Sequence, residues 1–474
     1  MRLVPSVAST LVIVALTGIQ GGCVGKYEPA VRQDLSALRA DFAFLTQEAP
    51  PDEDPGGDAL RSSVEAGLAG YLRLALERNP EIRASFERWQ ASVHRISRSR
   101  RLPEPTIGFG YFVESVETRV GPQQARISLQ QAFPWPTKLT AGADAASAEA
   151  RAMQRRFEAQ ALLVAQRVAT AYWNLWQVRA AKAIRREHLE VIRGLSASVR
   201  ARISTGAASL ADLQQIDLVA AGIEDNIRGM EEAERGAEAQ LRAAIGVAPA
   251  FPLPTPQEPG RADMPMASPA ALASLVRAHP MVESLGFLAE ASEATARAEG
   301  ADRFPSFTLG TDWIITDEAD TPGVKDSGQD AVILGVGIRI PLWQGSYADS
   351  VAAAEADSRA QLAEQSALLD RVEAELATTL ANLRDATRRV EIYRGTLVPQ
   401  AEAAYASVLG AYTVGRATVA QVLLAQRDLL EQRIELERAR ADHARTWARL
   451  EELVGRELAR QPGPSPGEKD DRHG

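Results

Sequence analysis

Four short segments of the chain alternate between apolar and polar residues, and longer stretches between them carry apolar residues at helical spacing. The first segment places Ile107, Phe109, Tyr111 and Val113 on one side, with small or polar residues on the other. A period of two indicates a β-strand with one apolar face. The pattern predicts strands at about 106–115, 124–133, 306–316 and 331–340.

Each predicted strand is long enough, at about eight to ten residues, to cross a membrane when tilted. One apolar and one polar face suit a strand between lipid and a water-filled lumen. An ordinary two-stranded ribbon packed on a helix fits the same alternation. Four strands do not close a barrel, and open sheet edges are not stable in lipid. A membrane-spanning form therefore requires several copies, and a trimer would supply twelve strands.

Long helices are predicted around the strands. Residues 139–203 contain no proline, and a helix of that length would extend roughly 100 Å. Its apolar positions are sparse and its other faces are charged, so the stripe should pack on neighbouring helices as in a coiled coil. The predicted long helices are about 139–203, 209–245, 347–412 and 418–454, with shorter helices at about 68–100 and 269–301.

The same order of elements occurs twice along the chain. Asn79-Pro80 in LALERNPEI corresponds to the His-Pro of SLVRAHPMV, and Gly206 corresponds to Gly415. Several ordered matches of this kind define a tandem repeat. The predicted boundaries are 66–246 for the first repeat and 267–455 for the second, with a Pro-rich linker at 247–266.

Proline and tryptophan mark the point where each strand pair meets a long helix. In FPWPTKL, Pro134 has no N–H for the strand ladder, and Pro136 suits the first turn of a helix. Trp135 is an amphipathic aromatic residue, which is favoured at a membrane–water boundary. Pro341 and Trp343 repeat the pattern. These residues predict a membrane-interface junction; a sheet-to-helix corner with the tryptophan packed inside is the alternative.

The N-terminal residues indicate a secreted protein. A basic residue, an apolar stretch and small residues precede Cys23, which predicts a signal peptide at 1–22. Cys23 is the only cysteine, and its position resembles a lipobox, whose cysteine is lipidated. Cleavage nearby with Cys23 unmodified is the alternative. Residues 23–65, which include APPDEDPGGD, are predicted to form an anchor segment and flexible linker, and 456–474 a disordered tail.

Composition narrows the function mainly by exclusion. The formal net charge of −9 does not indicate nucleic-acid binding. The five histidines lack metal-ligand spacing, and the sequence contains no phosphate loop and no nucleophile elbow. The chain is therefore expected to be neither an enzyme nor a holder of a cofactor or metal.

Together these features resemble the outer membrane efflux protein family, the TolC-like channels of tripartite exporters. The resemblance covers residues 66–455 and rests on the repeat, the strand pairs, FPWPTKL and the hairpin-tip sequence YTVGRATVAQVL. It implies a mainly α-helical homotrimer, with a twelve-stranded outer-membrane β-barrel continued by a twelve-helix periplasmic α-barrel. It also implies an outer-membrane location among lipid, a periplasmic adaptor and an inner-membrane pump as partners, and a passive channel.

The resemblance places the closed end of the channel at the turns between long helices. Relatives often carry Asp rings there, and the equivalent positions are Asp212 in the first repeat and Gln421 and Leu424 in the second. Three carboxylates around an axis would favour cations, although Gln421 and Leu424 depart from the acidic pattern. Alternatively, Asp212 only stabilises a helix N-terminus. The adaptor is expected to contact Ser204, Thr205, Gly206, Ser209, Gly415, Arg416 and Thr418.

The exported substrate stays open between metal cations and other small molecules. FPWPTKL resembles the heavy-metal-efflux branch of the family more than the multidrug branch, but the chain offers no soft-metal relay. A periplasmic scaffolding lipoprotein with helical hairpins and no pore is the alternative function. Strands with one apolar, aromatic-rich face argue against it.

Overall fold

A computed structural model of the protein describes residues 24–41, 67–204, 206 and 208–460. The predicted signal peptide, Cys23 and Thr205 lie outside the described residues. The chain divides into two compact units. The first takes in the described part of Met1–Ala43 with Phe86–Arg156 and Glu283–Ala367, and the second the described parts of Phe44–Ser85, Phe157–Val282 and Leu368–Gly474. Within the described ranges, no helix is both long enough and apolar enough to cross a membrane.

Helices make up most of the described chain. The elements in chain order are α1 (Glu28–Asp41), α2 (Leu68–Arg78), α3 (Pro80–Ser99), β1 (Thr106–Val116), β2 (Gln123–Phe133), α4 (Pro136–Ile203), α5 (Leu210–Ile245), α6 (Pro269–Arg277), α7 (Pro280–Gly300), β3 (Ser306–Thr316), β4 (Ala331–Arg339), α8 (Gln344–Ile392), α9 (Val398–Thr413) and α10 (Val419–Val454). A short 3₁₀ turn, Ala301–Arg303, precedes β3, and a π-helical turn, Tyr393–Leu397, joins α8 to α9.

The four strands form one antiparallel sheet in the order β1-β2-β3-β4, within the first unit. Directly paired residues share a face, so the register sorts the side chains. One face carries an almost continuous apolar set: Ile107, Phe109, Tyr111, Ile127, Leu129, Phe307, Leu309, Trp313, Val332, Leu334, Val336 and Ile338. The other face is mostly small or polar, apart from Ile314 and Ile333, and on it Arg126 pairs with Asp312 at 2.9 Å. The apolar face is exposed, with Leu334 78% accessible.

Each helix predicted before the strands is in fact two helices. The predicted helix 68–100 is broken between α2 and α3 at Asn79, and the predicted helix 269–301 is broken between α6 and α7 at His279. The following proline disfavours the helical conformation of the residue before it, which explains both breaks. Asn79 Oδ1 accepts the N–H of Glu81 at 2.8 Å, and His279 Nδ1 accepts the N–H of Met281 at 3.1 Å. The two side chains therefore cap the second helix of each pair in the same way.

The second unit is built on two helical hairpins with buried apolar seams. Both hairpins contribute to one cluster, which contains Leu189, Ile192, Val199, Ile216, Ile223, Ile227, Tyr412, Val419, Val422 and Leu423. A second cluster gathers around α6 and contains Leu272, Val276, Leu376, Leu380, Leu383, Trp447, Leu450, Val454 and Leu458. The coiled-coil stripe seen in the sequence therefore forms buried cores, because sparse apolar positions from several helices meet.

The predicted helix 347–412 continues through one π-helical turn instead of being α-helical throughout. The π turn Tyr393–Leu397 comes directly before α9, whose second residue is Pro399. Proline lacks the N–H that the helical ladder needs and crowds the carbonyl of the preceding turn. A π turn is one of the ways in which a long helix accommodates such a residue.

Two terminal segments are more ordered than the sequence predicts. Residues 28–41, assigned to a flexible linker, form α1, on which Val31 and Leu35 are buried. The acidic, Pro-rich composition that suggested flexibility belongs to residues 49–58, not to this amphipathic segment. At the other end, Leu458 of the predicted disordered tail is 7% exposed, and its N–H donates to Glu451. The prediction is wrong for residues 456–460, because Leu458 completes an apolar cluster.

Candidate functional site

The helix starts at the two hairpin turns share one local geometry. Ser209 caps α5: its Oγ accepts the N–H of Asp212 at 3.1 Å, and Asp212 Oδ2 accepts the N–H of Ser209 at 3.2 Å. Thr418 and Gln421 form the same reciprocal pair at the start of α10, at 3.3 and 2.9 Å. Both are capping boxes, in which two unpaired backbone donors are satisfied. Asp212 and Gln421 therefore occupy equivalent positions, and only one of them is charged.

The other described residues among those predicted at the turns are exposed or shape the turn. Gly206 and Gly415 have φ values of 72° and 76°, a left-handed conformation that favours glycine at a helix end. Ser204 donates to the carbonyl of Ala201 at 2.7 Å, and the N–H of Arg416 donates to the carbonyl of Ala411 at 2.8 Å. Exposed apolar side chains lie in the same region: Leu210, Leu218, Val414 and Leu424. The turns thus present a mixed apolar and polar surface.

The sequence did not indicate a buried histidine in the seam between the hairpins. His188 of α4 is 5% exposed and lies beside Gln426 of α10, which is also buried. Neither ring nitrogen of His188 has a hydrogen-bond partner among the described residues. Burial lowers the pKa of His188, and the nearby Arg185 lowers it further. Burial also lowers the pKa of His279 and His443.

These three histidines are expected to make the second unit less stable in acid. The pKa of each histidine in the folded protein lies below its unfolded value of about 6.5. As the pH falls through about 6.5, the unfolded chain therefore binds more protons than the folded chain, and the folded state loses stability. We expect the thermal midpoint of the purified protein to fall between pH 7.5 and 5.5. The fall in midpoint reflects a loss of folding free energy, and His188→Leu should reduce that free-energy loss by up to about 1.4 kcal/mol per pH unit. Circular dichroism melts at both pH values measure it; an equal fall in both proteins would contradict the assignment.

The N-terminal described residues are fixed to the first unit by a dense set of contacts. The N–H of Lys26 donates to Asp144 at 2.8 Å, and the N–H of Tyr27 donates to Ser147 at 3.2 Å. The Lys26 ammonium and the Tyr27 hydroxyl both donate to Glu290 of α7, at 2.8 and 2.5 Å. The hydrogen bond to Glu290 raises the pKa of Lys26. We call residues 24–27 the N-terminal strap.

A close backbone approach requires glycine in the strap. A Cβ at Gly25 would lie 2.4 Å from the carbonyl oxygen of Ala143. Ala143 lies in the second turn of α4, which begins at Pro136 immediately after β2. At ~1.5 Å per residue, the strap meets α4 roughly 10 Å from the helix start. The residue that follows Cys23 by two positions is therefore held near the end of the sheet.

The junction residues differ between the two repeats in their packing. β2 ends at Phe133 and α4 begins at Pro136, so Pro134 and Trp135 form the connection. Trp135 is half-buried and stacks on Phe304, with ring centroids 4.9 Å apart and planes at 20°. Pro341 precedes Trp343, which is 75% exposed. The ring of Trp135 is packed, as the corner alternative expects, while that of Trp343 is open.

A cavity of about 900 Å³ adjoins this junction in the first unit. Its lining comes from the end of the sheet where β2 and β4 finish, and from the segments beside it. Residues that bear on its chemistry are Arg101, Trp135, Lys138, Asp302, Phe304, Arg339, Trp343 and Tyr347. No pattern in the sequence had pointed to this cavity, because its lining converges from segments that are far apart in the chain.

The profile of the outer membrane efflux protein family matches residues 71–247 and 277–456. The outer membrane efflux protein BepC of Brucella suis is 24% identical over 295 residues, which is 62% of this chain and 63% of that relative. The chain therefore spans somewhat less than two thirds of the curated relative that it matches.

Solved outer-membrane proteins have the same fold. VceC from Vibrio cholerae superposes with a TM-score of 0.66 at 21% identity, over 82% of this chain and 96% of that one. CusC, described with transmembrane channel formation, superposes with a TM-score of 0.71 at 17% identity, over 83% of this chain and 92% of that one. The family is one of transport channels rather than enzymes. The chain belongs to the outer membrane efflux protein family, whose TolC-like members lie in the outer membrane with a large periplasmic part.

Proposed function

We propose that the protein is the passive outer-membrane channel of a tripartite efflux system and acts as a homotrimer. The observation that carries the proposal is the four-stranded sheet, which combines an exposed apolar face, a polar face and two unpaired edges. Membership of the efflux family supports export as the activity. A scaffold without a pore would have no use for a sheet with this exposed apolar face.

Closure of the sheet between copies follows from its edges. β1 and β4 each have one side without a strand partner within the described chain. In lipid, unpaired backbone N–H and C=O groups cost several kcal/mol each, so a membrane-spanning sheet must close. Pairing β4 of one copy with β1 of the next gives a closed ring of twelve strands in a trimer. The apolar face then meets lipid, the polar face lines the lumen, and the long helices continue the lumen as a twelve-helix tube.

The test is the oligomeric state together with conductance. Purified protein should migrate as a trimer that heat converts to monomer, and it should open single channels in planar bilayers. The control is the same preparation after heating, which should not conduct. Monomeric, non-conducting material recovered from outer membranes would exclude the channel and favour the scaffolding lipoprotein.

The hairpin turns are proposed to form the periplasmic aperture, with Asp212, Gln421 and Leu424 as lining residues. Asp212→Asn should lower cation selectivity, because three carboxylates are lost while the amide oxygen can still accept the N–H of Ser209. Gln421→Asp adds a carboxylate at the equivalent position of the other repeat and should raise cation selectivity. Reversal potentials in a KCl gradient measure both variants. Unchanged potentials in both would contradict the lining role and leave Asp212 only as the partner of Ser209 in the capping box.

The same turns are proposed to bind the periplasmic adaptor, through which an inner-membrane pump delivers substrate. Exposure of Ser204, Ser209, Gly415, Arg416 and Thr418 supports this surface, and the exposed Leu210 and Val414 supply apolar contact area beside it. Photo-crosslinkers at Arg416 and Thr418 should capture the adaptor, whereas one at Arg359, on the exposed face of α8, should not. Equal capture from both regions would contradict a turn-specific contact.

Lipidation of Cys23 is proposed from the lipobox resemblance and from the strap. The strap supports it because it holds Gly25 roughly 10 Å along α4 from the end of the sheet, within reach of a bilayer around the strands. Cells fed labelled palmitate should yield a labelled protein, and Cys23→Ser should remove all the label because the chain has no other cysteine. The variant should still form trimers, since residues 24–41 pack through their own contacts. Label that persists in the variant would exclude Cys23.

The exported substrate is proposed to be a small molecule or a metal cation. The resemblance of FPWPTKL to the heavy-metal-efflux branch favours a cation. The aromatic residues of the junction cavity favour an organic molecule instead.

A further inference from the structure

The junction cavity opens on the polar face of the sheet. Thr308 pairs with Ala132 on one side and Gly337 on the other, and Ser306 pairs with Arg339. Ala132, Ser306, Thr308 and Arg339 all line the cavity. None of these residues belongs to the apolar face, so the cavity lies on the opposite side of the sheet from that face.

Four aromatic side chains contribute to the cavity wall. Trp135 and Phe304 present a stacked pair with ring centroids 4.9 Å apart. Trp343 is largely exposed, and Tyr347 lies one helical turn further along α8. Tryptophan and tyrosine offer flat apolar faces to a planar ligand at low conformational cost. The wall therefore suits a molecule that contains an aromatic ring.

The charges of the cavity leave one guanidinium uncompensated. Lys138 is neutralised by Asp302, whose two carboxylate oxygens lie 2.5 and 2.7 Å from the ammonium. Arg101 faces Glu104 at 3.2 Å. Across the part of the chain that the structure describes, Arg339 forms no ion pair, and its side chain is exposed. The cavity has no acidic group free to attract a cation.

We propose that this cavity binds an aromatic anion in transit, with Arg339 as the anion-binding residue and the rings of Trp135, Phe304 and Trp343 as the stacking surface. A guanidinium binds carboxylate, sulfonate or phosphate groups in a bidentate manner. The assignment rests on the proposed channel, in which the polar face lines the lumen. Three copies of Arg339 would then surround the passage from strands to helices, so that this level of the lumen favours anions.

Channel block by matched naphthalene compounds tests the assignment. Wild-type channels in a planar bilayer should be blocked by naphthalene-2-sulfonate at lower concentration than by 2-naphthylmethylammonium. In Arg339→Gln the half-blocking concentration of the sulfonate should rise at least about ten-fold, because the charge-assisted hydrogen bonds of the guanidinium are lost. Arg339→Lys keeps the charge and should keep most of the block, and Trp343→Ala should weaken block by both compounds.

The outcomes separate this inference from the proposed function. Wild-type trimers that do not conduct would overturn the channel and this assignment together. Conducting channels in which Arg339→Gln leaves the sulfonate block unchanged would overturn only the anion site. Stronger block by the ammonium compound in the wild type would also overturn it and would favour cations as substrates.

Discussion

Replacing Leu334 by arginine is expected to prevent stable assembly in the outer membrane. Leu334 lies in the middle of β4 on the exposed apolar face. If that face meets lipid, a charged side chain at mid-membrane costs about 2–4 kcal/mol in each copy. Three copies multiply the penalty, so little heat-modifiable trimer should reach the outer-membrane fraction.

The neighbouring residue supplies the control. Gly335 has its side-chain position on the opposite face of β4, and a Cβ there would meet no heavy atom within 4 Å. Gly335→Arg should therefore assemble nearly as well as wild type, because its side chain would point to water. Normal trimers for Leu334→Arg with failed assembly for Gly335→Arg would mean that the two faces have been assigned the wrong way round.

Gly246→Ala is expected to destabilise the second unit strongly. Gly246 ends α5 with a φ of 86°, and a Cβ there would lie 2.8 Å from Asn79 Cα and 2.9 Å from the carbonyl oxygen of Arg78. Backbone strain and overpacking together should cost about 3 kcal/mol, since rigid backbone atoms cannot move aside easily. Thermal melts of the helical signal measure the loss.

The second repeat again offers the matched position. Gly455 ends α10 with a φ of 73°, but the nearest atom to its Cβ would be Pro280 Cδ at 3.4 Å. Gly455→Ala should cost about 1 kcal/mol, because it adds the left-handed strain without a severe clash. Equal losses for the two variants would show that the packing of Gly246 against the α2–α3 break contributes nothing beyond backbone strain.

Local sequence rules accounted well for the strands and for the turns. Alternation of period two locates strands wherever one face is apolar. Pro134 ends β2 because it has no N–H for the strand ladder, and Pro136 fits the first turn of α4, so the boundary between the two elements can be read from these residues. The breaks at Asn79 and His279 follow from a similar local rule, the restriction on the residue before proline. The helical spacing of apolar residues continues through both positions and therefore predicted unbroken helices.

Features that depend on distant contacts were not accessible from the sequence. α1 is ordered because Val31 and Leu35 find a surface in the first unit, and Leu458 is ordered because it completes a cluster around α6. The burial of His188 likewise depends on the meeting of α4 with α10. The position of Asp212 near a helix start is readable from the sequence. The unpaired charge of Arg339 is not, because it depends on Lys138 being paired with Asp302 across the chain.

The side chains that cap the helices at the two breaks, Asn79 and His279, can be compared directly because they occupy equivalent positions of the two repeats. Asn79 accepts its backbone hydrogen bond through an amide oxygen, which does not titrate, whereas His279 accepts the equivalent bond only through an unprotonated nitrogen. A single proton can thus remove the cap from one repeat and leave the other intact. The two helix breaks therefore have the same geometry but respond differently to acid: the break at His279 is pH-sensitive and the break at Asn79 is not.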